Sequence, residues 1–254
     1  MILWGNAASF QPLSLKHAIV IAGVGFACAL VAMVGRRSSA SLREKTEPAL
    51  GVLLLLIWSI GAMADWASPR AGSATSLPLH WCDLTGILAG VVLMKPTRGT
   101  RAALQFWGIT FSSIAFIFPI EKLGPAYAEF WIYFGTHAVI LMAVTYDLAV
   151  RKFTPTWRDF NTVALATAFW VVAVTPFNLL LGANYAYVGA IETHQRVIVS
   201  AFGEWPGRVG TMYLVSIGLM AMSLAIHKAA LAWKGLPPVE AIRFAETRLQ
   251  QMPA

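Results

Sequence analysis

HAIVIAGVGFACALVAMVG, residues 17–35, runs for 19 residues without a charged side chain, and Arg36 and Arg37 follow at once. At 1.5 Å per residue such a helix covers about 28 Å, close to the hydrocarbon thickness of about 30 Å. A helix satisfies its own backbone hydrogen bonds in lipid, and two arginines at its end reach the headgroups. The run therefore reads as a membrane-spanning helix. It has no basic leader and carries its arginines on the far flank, so it is expected to stay in place rather than be removed as a secretory signal.

Six further runs of the same kind follow: Pro48 to Asp65, Pro78 to Met94, Ala102 to Ile120, Tyr127 to Val150, Phe160 to Gly182 and Val209 to Trp233. Hydrophobic residues make up 57% of the 254 and charged residues 12%, against roughly 45–50% and 25% in an ordinary soluble domain. The expectation is an all-α, polytopic membrane protein: a seven-transmembrane-helix bundle over residues 1–235 and a cytoplasmic amphipathic tail over 236–254. In that tail VEAIRFAETRLQQ sets Val239, Ile242, Ala245 and Leu249 at helical spacing.

A net charge of +7 would point to nucleic acid in a soluble protein, but here the arrangement matters more. Arg36, Arg37, Arg43 and Lys45 separate runs one and two. Lys95, Arg98 and Arg101 separate three and four, and Arg151, Lys152 and Arg158 separate five and six. With Lys228, Lys234, Arg243 and Arg248, 14 of the 19 lysines and arginines fall on one side. Positive-inside bias then puts the N-terminus out and the C-terminus in, with no nucleic-acid partner implied. Cys28 and Cys82 are the only cysteines and do not suggest a disulfide framework.

Against this background the polar residues inside apolar runs stand out, because ionisable groups at membrane depth normally face the bundle interior and mark a site. PLHWCD, residues 78–83, gathers His80, Cys82 and Asp83 at the start of run three. Pro78 suits a first helical turn, with Ser76 or the Leu77 backbone as cap. Asp83 has two open readings: orienting a histidine, or reaching the outer water. Below Cys82, GILAG is a small-xxx-small pattern, read here as close helix packing. His137 lies about ten residues, or roughly 15 Å, along run five. Asn178, Asn184 and Tyr185 at the outer end of run six, and Ser112 midway along run four, complete an expected polar pocket in the outer leaflet. Ala183 to Arg208 forms a long loop, read as interfacial with a lid as the alternative.

A thiol beside an imidazole is the minimum for covalent acyl transfer. Cys82 and His137 are the expected catalytic pair, with a membrane phospholipid or lysophospholipid as substrate. Backbone amides at the start of run three, or the Asn178 amide, are the candidate oxyanion donors. No cofactor or metal is required. The alternative is a metal-binding or small-molecule transport or sensing protein with His80, Cys82, Asp83 and His137 as ligands. A retinal protein is disfavoured, because Lys228 lies near the inner end of the last run.

Four segments also carry a family likeness: LPLHWCDLTGILAGVVL (77–93), FWIYFGTHAVIL (130–141), LLLGANYAYV (179–188) and GEWP (203–206). Together they resemble the YwaF-type integral membrane proteins of bacteria, relatives of an animal ether-phospholipid membrane acyltransferase. Glu204 and Gly207 depart from the family pattern, which has proline and an aromatic residue there. The resemblance implies a multi-pass protein of the bacterial plasma (inner) membrane, an acyltransferase activity, and a cysteine–histidine pair falling on Cys82 and His137.

Overall fold

A computed structural model describes residues 8–67, 77–190, 201–233 and Gly235. The expected tail, and Glu192, His194 and Arg196 of the long loop, lie outside them. The described chain is all-helical: α1 (Leu15–Arg37), α2 (Ala40–Ala67), α3 (Trp81–Met94), α4 (Arg98–Trp107), a π-helical segment (Gly108–Ser112), α5 (Ser113–Ile117), α6 (Ala128–Ala149), α7 (Trp157–Leu181), a 3-10 turn (Tyr185–Tyr187) and α8 (Gly207–Trp233). Among the described residues the only β pairing is an isolated bridge, Ser9 to Leu123.

Among the described residues five helices are long and apolar enough to cross a membrane: α1, α2 over Ala40–Met63, α6, α7 and α8. The other two expected spans are also helical, with different limits. Run three does not begin at Pro78. Residues 77–80 form a turn in which the Leu79 amide donates to the Leu77 carbonyl at 2.8 Å, and the helix starts at Trp81 with His80 as its N-cap. Its 14 residues cover about 21 Å. Run four is one helical stretch from Arg98 to Ile117 whose middle widens into the π segment.

Hydrogen bonds across the bundle fix which helix ends meet. At one end Arg36 Nε donates to the Ala149 carbonyl at 3.2 Å and Arg101 Nε to both Asp147 oxygens at 2.9 and 3.0 Å. Arg98 pairs with Asp159 and Arg151 with Glu47. Arg151 also donates to the last carbonyls of α3, Val92 and Leu93, groups a helix C-terminus leaves unpaired. At the other end His17 Nε2 lies 2.6 Å from the Phe116 carbonyl, tying the start of α1 to the end of α5. Phe10 packs there in a cluster with Phe116, Phe130 and Phe134.

These charges are not loop charges simply facing water. Arg151 and Glu47 are only 13% and 14% exposed, and Asp147 lies inside an apolar run. A buried charge persists there because its partner is within reach, and removing one member costs about 3–5 kcal/mol. Asp147→Asn is therefore expected to lower the thermal unfolding midpoint in detergent by several degrees, and adding Arg101→Met should recover most of the loss. Unfolding of the single variant at the wild-type temperature would show that the pair contributes no stability.

The GILAG pattern is a packing feature. A Cβ on Gly90 would lie 2.9 Å from the Gly51 carbonyl oxygen, and one on Gly51 would lie 2.7 Å from that of Gly90. Helices α2 and α3 therefore approach backbone to backbone, as small residues permit.

Candidate functional site

The end of the bundle opposite the ion pairs carries the residues singled out in the sequence. His80 holds extended backbone at the N-cap of α3, and its amide donates to Asp83 Oδ2 at 3.0 Å. The Asp83 carboxylate closes the first turn of α3 and complements its dipole. Cys82 is the second residue of α3, half-buried and outside any disulfide, as is Cys28 on α1.

Residues 183–190 decide what covers this turn. Gly182 ends α7 in the left-handed region, φ 61°, where glycine pays no steric penalty. Asn178, one turn earlier, then clamps the returning chain. Its Nδ2 donates to the Tyr185 carbonyl at 3.0 Å and its Oδ1 accepts the Tyr185 amide at 2.7 Å. Asn184 Oδ1 accepts the Gly189 amide at 2.9 Å, and Trp205 Nε1 donates to the Val188 carbonyl at 3.2 Å. The buried Arg208 guanidinium donates to the Gly189 carbonyl. Ala183, Tyr185, Ala186 and Val188 pack with Trp81 and Val174 into a core cluster. This half of the loop is a packed plug, more buried than an interfacial loop would be.

Inside the plug Ala186 and Tyr187 both take positive φ, 54° and 64°, a conformation that costs a non-glycine residue about 1–2 kcal/mol. The strain has a geometric result: the tyrosine rings turn onto α3. His80 meets Tyr185 at 5.3 Å and Tyr187 at 5.6 Å between ring centroids, and the Tyr185 hydroxyl accepts the Leu77 amide at 2.9 Å. Burial first, then the neighbouring Cys82, Tyr133 and Asp83, push the Tyr187 hydroxyl above the ordinary phenol range. The hydroxyl stays protonated.

Tyr133 of α6 has both Cys82 and His137 in its surroundings. It lies within electrostatic range of Cys82, and its ring packs against the His137 imidazole at 4.8 Å. Its hydroxyl donates to the Ala115 carbonyl at 3.3 Å. His137 is buried, with Nδ1 2.6 Å from the Tyr133 carbonyl. A carbonyl only accepts, so Nδ1 carries the proton and Nε2 the lone pair. Among the described residues Nε2 makes no hydrogen bond, to Cys82 or to any other group, so its lone pair is unengaged.

Ser112 lies on the stretch between Gly108, which packs against Ile140 and Val144, and Phe116, whose ring meets His137 at 6.4 Å. That puts it level with His137 on the antiparallel helix. Its hydroxyl is buried without a partner among the described residues, as are Thr110 and Gln105 on the same stretch.

The structure thus brings His80, Cys82, Asp83 and Tyr185 to one end, with His137 about halfway along α6 and Ser112 at its level. The Asn178 and Asn184 side chains both hold the plug, Asn178 through one of its two amide N–H groups and its carbonyl oxygen. Among the described residues no three His, Cys, Asp or Glu side chains form a ligand set for a metal. Sequence reasoning missed Tyr133 and Tyr187. Both lie in the quoted motifs, where tyrosine near a helix end reads as an interfacial anchor.

A family model for the TMEM164 family, a family of transmembrane proteins, matches residues 12–225. The chain belongs to the TMEM164 family. Comparison with curated proteins and with solved structures gives no match. The TMEM164 match takes in all four quoted segments and runs from just before α1 into the last helix, α8, as far as Ala225.

Asn178→Ala tests the clamp. Two hydrogen bonds are lost and two backbone groups of Tyr185 are left buried, a cost of about 2–3 kcal/mol. Amide exchange at Tyr185 to Val188 is expected to rise by one to two orders of magnitude while that of α6 stays unchanged. Unchanged protection in the loop would show that the packing holds it alone.

Proposed function

We propose that this TMEM164-family protein is a lipid acyltransferase or acyl hydrolase that works through a thioester on Cys82. The reading is supported by the common position of Cys82 and His137 around Tyr133, with His137 Nε2 left as the base. In the proposed orientation seven helices span the bilayer with the N-terminus outside, so the site lies in the outer leaflet, and the membrane is the plasma membrane of a bacterium. The likeness to YwaF-type proteins and their acyltransferase relatives supports the same reading.

The chemistry balances without a cofactor. His137 Nε2 takes the Cys82 proton, and the thiolate attacks the ester carbonyl carbon of a phospholipid or lysophospholipid. As the carbon–oxygen bond breaks, the imidazolium returns the proton to the leaving alkoxide. A thioester remains on Cys82. A second hydroxyl, from lipid or water, then attacks the thioester, giving its proton to Nε2, and the carbon–sulfur bond breaks to release thiolate, which takes the proton back. Charge on the tetrahedral oxygen would be met by amides at the α3 N-terminus, where the dipole favours negative charge, and by the neutral Tyr187 hydroxyl.

Purified protein incubated with phospholipid is expected to gain one acyl chain on the Cys82 peptide, removable by neutral hydroxylamine. A deletion strain is expected to change its phospholipid acyl profile. An unmodified Cys82 together with an unchanged profile would overturn the proposal.

A further inference from the structure

His17, in the first turn of α1, is 3% exposed, and both its ring nitrogens are committed. Nδ1 lies 2.9 Å from the Leu13 amide, a group that only donates. Nδ1 therefore holds the lone pair. Nε2, 2.6 Å from the Phe116 carbonyl, carries the proton and donates it. Two backbone partners thus fix one neutral tautomer, the opposite of the one His137 adopts.

The Leu13 bond holds a hook in the chain. Residues 8–14 turn back over the start of α1, and Ser14 caps the helix, its Oγ accepting the His17 amide at 3.3 Å. Leu13 takes a left-handed φ of 63° with its side chain 94% exposed. Leucine is disfavoured in that conformation and buries nothing by adopting it; what the turn secures is the amide bond to His17. Beyond it the Phe10 amide donates to the Lys122 carbonyl at 2.8 Å and the Gly124 amide to the Ala8 carbonyl at 3.1 Å. The Phe10 ring meets His17 edge-on at 5.7 Å, and Phe134 and Phe130 at 5.1 and 5.5 Å. Phe116, the remaining ring of that cluster, also meets His137. The hook therefore covers an aromatic face that adjoins the proposed base.

This latch fits only one protonation state. An imidazolium carries N–H at both ring positions and has no lone pair, so a protonated His17 sets one donor against another at Leu13. The surrounding charged groups have other tasks. Lys16 donates to the Ser9 carbonyl. On the connection that pairs with the hook, Glu121 Oε1 accepts the Lys122 and Leu123 amides at 2.7 and 2.6 Å. Helix α6 carries Glu129 in its first turn, then Tyr133, bonded to the Ala115 carbonyl, and His137, bonded to the Tyr133 carbonyl. From α5 the group facing His17 is a backbone carbonyl. Among the described residues no carboxylate forms an ion pair with His17. We infer that residues 8–14 form a pH-sensitive strap, closed over the aromatic cluster while His17 is neutral and released when its imidazole is protonated. Release uncovers Phe116, Phe130 and Phe134. The strap stands whether or not Cys82 is catalytic.

A nitroxide on Ser9→Cys, an exposed position of the hook, tests this in the full chain in nanodiscs, with Cys28→Ala and Cys82→Ser removing the other thiols. The label is expected to be mainly immobilised at about pH 8, and its mobile component should become the major one by about pH 5, across the histidine range. His17→Gln, which does not titrate, should give one line shape at both pH values, whereas Glu121→Gln should keep the response. Histidine-selective nitrogen NMR of the labelled protein should place the His17 titration at the midpoint of release, a readout that needs no His17 variant. A line shape that does not change with pH, the same response in His17→Gln, loss of the response in Glu121→Gln, or separate midpoints for His17 and the label would each overturn the proposal.

Discussion

Replacing Cys82 by serine is expected to lower phospholipid acyl turnover at least about a thousandfold, the scale of loss when a covalent nucleophile is removed. The substitution is nearly isosteric at a half-buried position, so folding should be retained and the thermal midpoint should stay within a degree or two. Cys28→Ser is the matched control. It changes the other thiol, on α1 and away from the plug, and should leave turnover unchanged. Turnover and stability should therefore separate cleanly for Cys82. A Cys82→Ser protein that keeps its activity would remove the thiol from the chemistry, whatever else the site contains.

His137→Gln is expected to cost about 10²–10⁴-fold in rate, the contribution of a positioned general base. The glutamine amide can still donate to the Tyr133 carbonyl, so the helix and its packing should hold. The more telling readout is pH. Without a base the thiolate must form by exchange with solvent, so the variant's deficit should narrow as pH rises while the wild type responds less. A deficit of the same size at every pH would assign His137 to packing rather than proton transfer.

Much of the fold is legible in the sequence because lipid imposes a single demand, an unbroken apolar length. The expected run Tyr127 to Val150 and the helix Ala128–Ala149 agree to one residue at each end. The same reasoning misplaces ends that lie in polar surroundings. A helix need not stop where the apolar run stops, so α2 continues through Pro48 back to Ala40 and α4 starts at Arg98 under a Thr97 cap. At α3 the error runs the other way: Pro78 reads as a first-turn residue, but the Asp83 carboxylate closes its turn on the His80 amide, and the helix starts later.

The candidate site divides in a similar manner. Cys82, His80 and His137 are conspicuous because a bilayer penalises them. Tyr133 and Tyr187 are not, since tyrosine is common at membrane interfaces. The position of Tyr187 depends on two left-handed residues and on the Asn178 clamp, and that of Tyr133 on how α6 packs in the bundle, arrangements that no local pattern encodes. Asp147 and Glu47 are hidden for a related reason. Each is acceptable only because an arginine from another helix arrives beside it.

The claim on which the functional account depends is that the Cys82 thiol and the His137 side chain face one shared space. Oxidative cross-linking in native membranes tests this most directly, using His137→Cys in a Cys28→Ala background. Cys82 and the introduced thiol are expected to join, directly or through a short bifunctional thiol reagent, giving a linked peptide pair by mass spectrometry. If both thiols are alkylated readily yet never link to each other, they face different spaces, and the acyl-transfer reading fails.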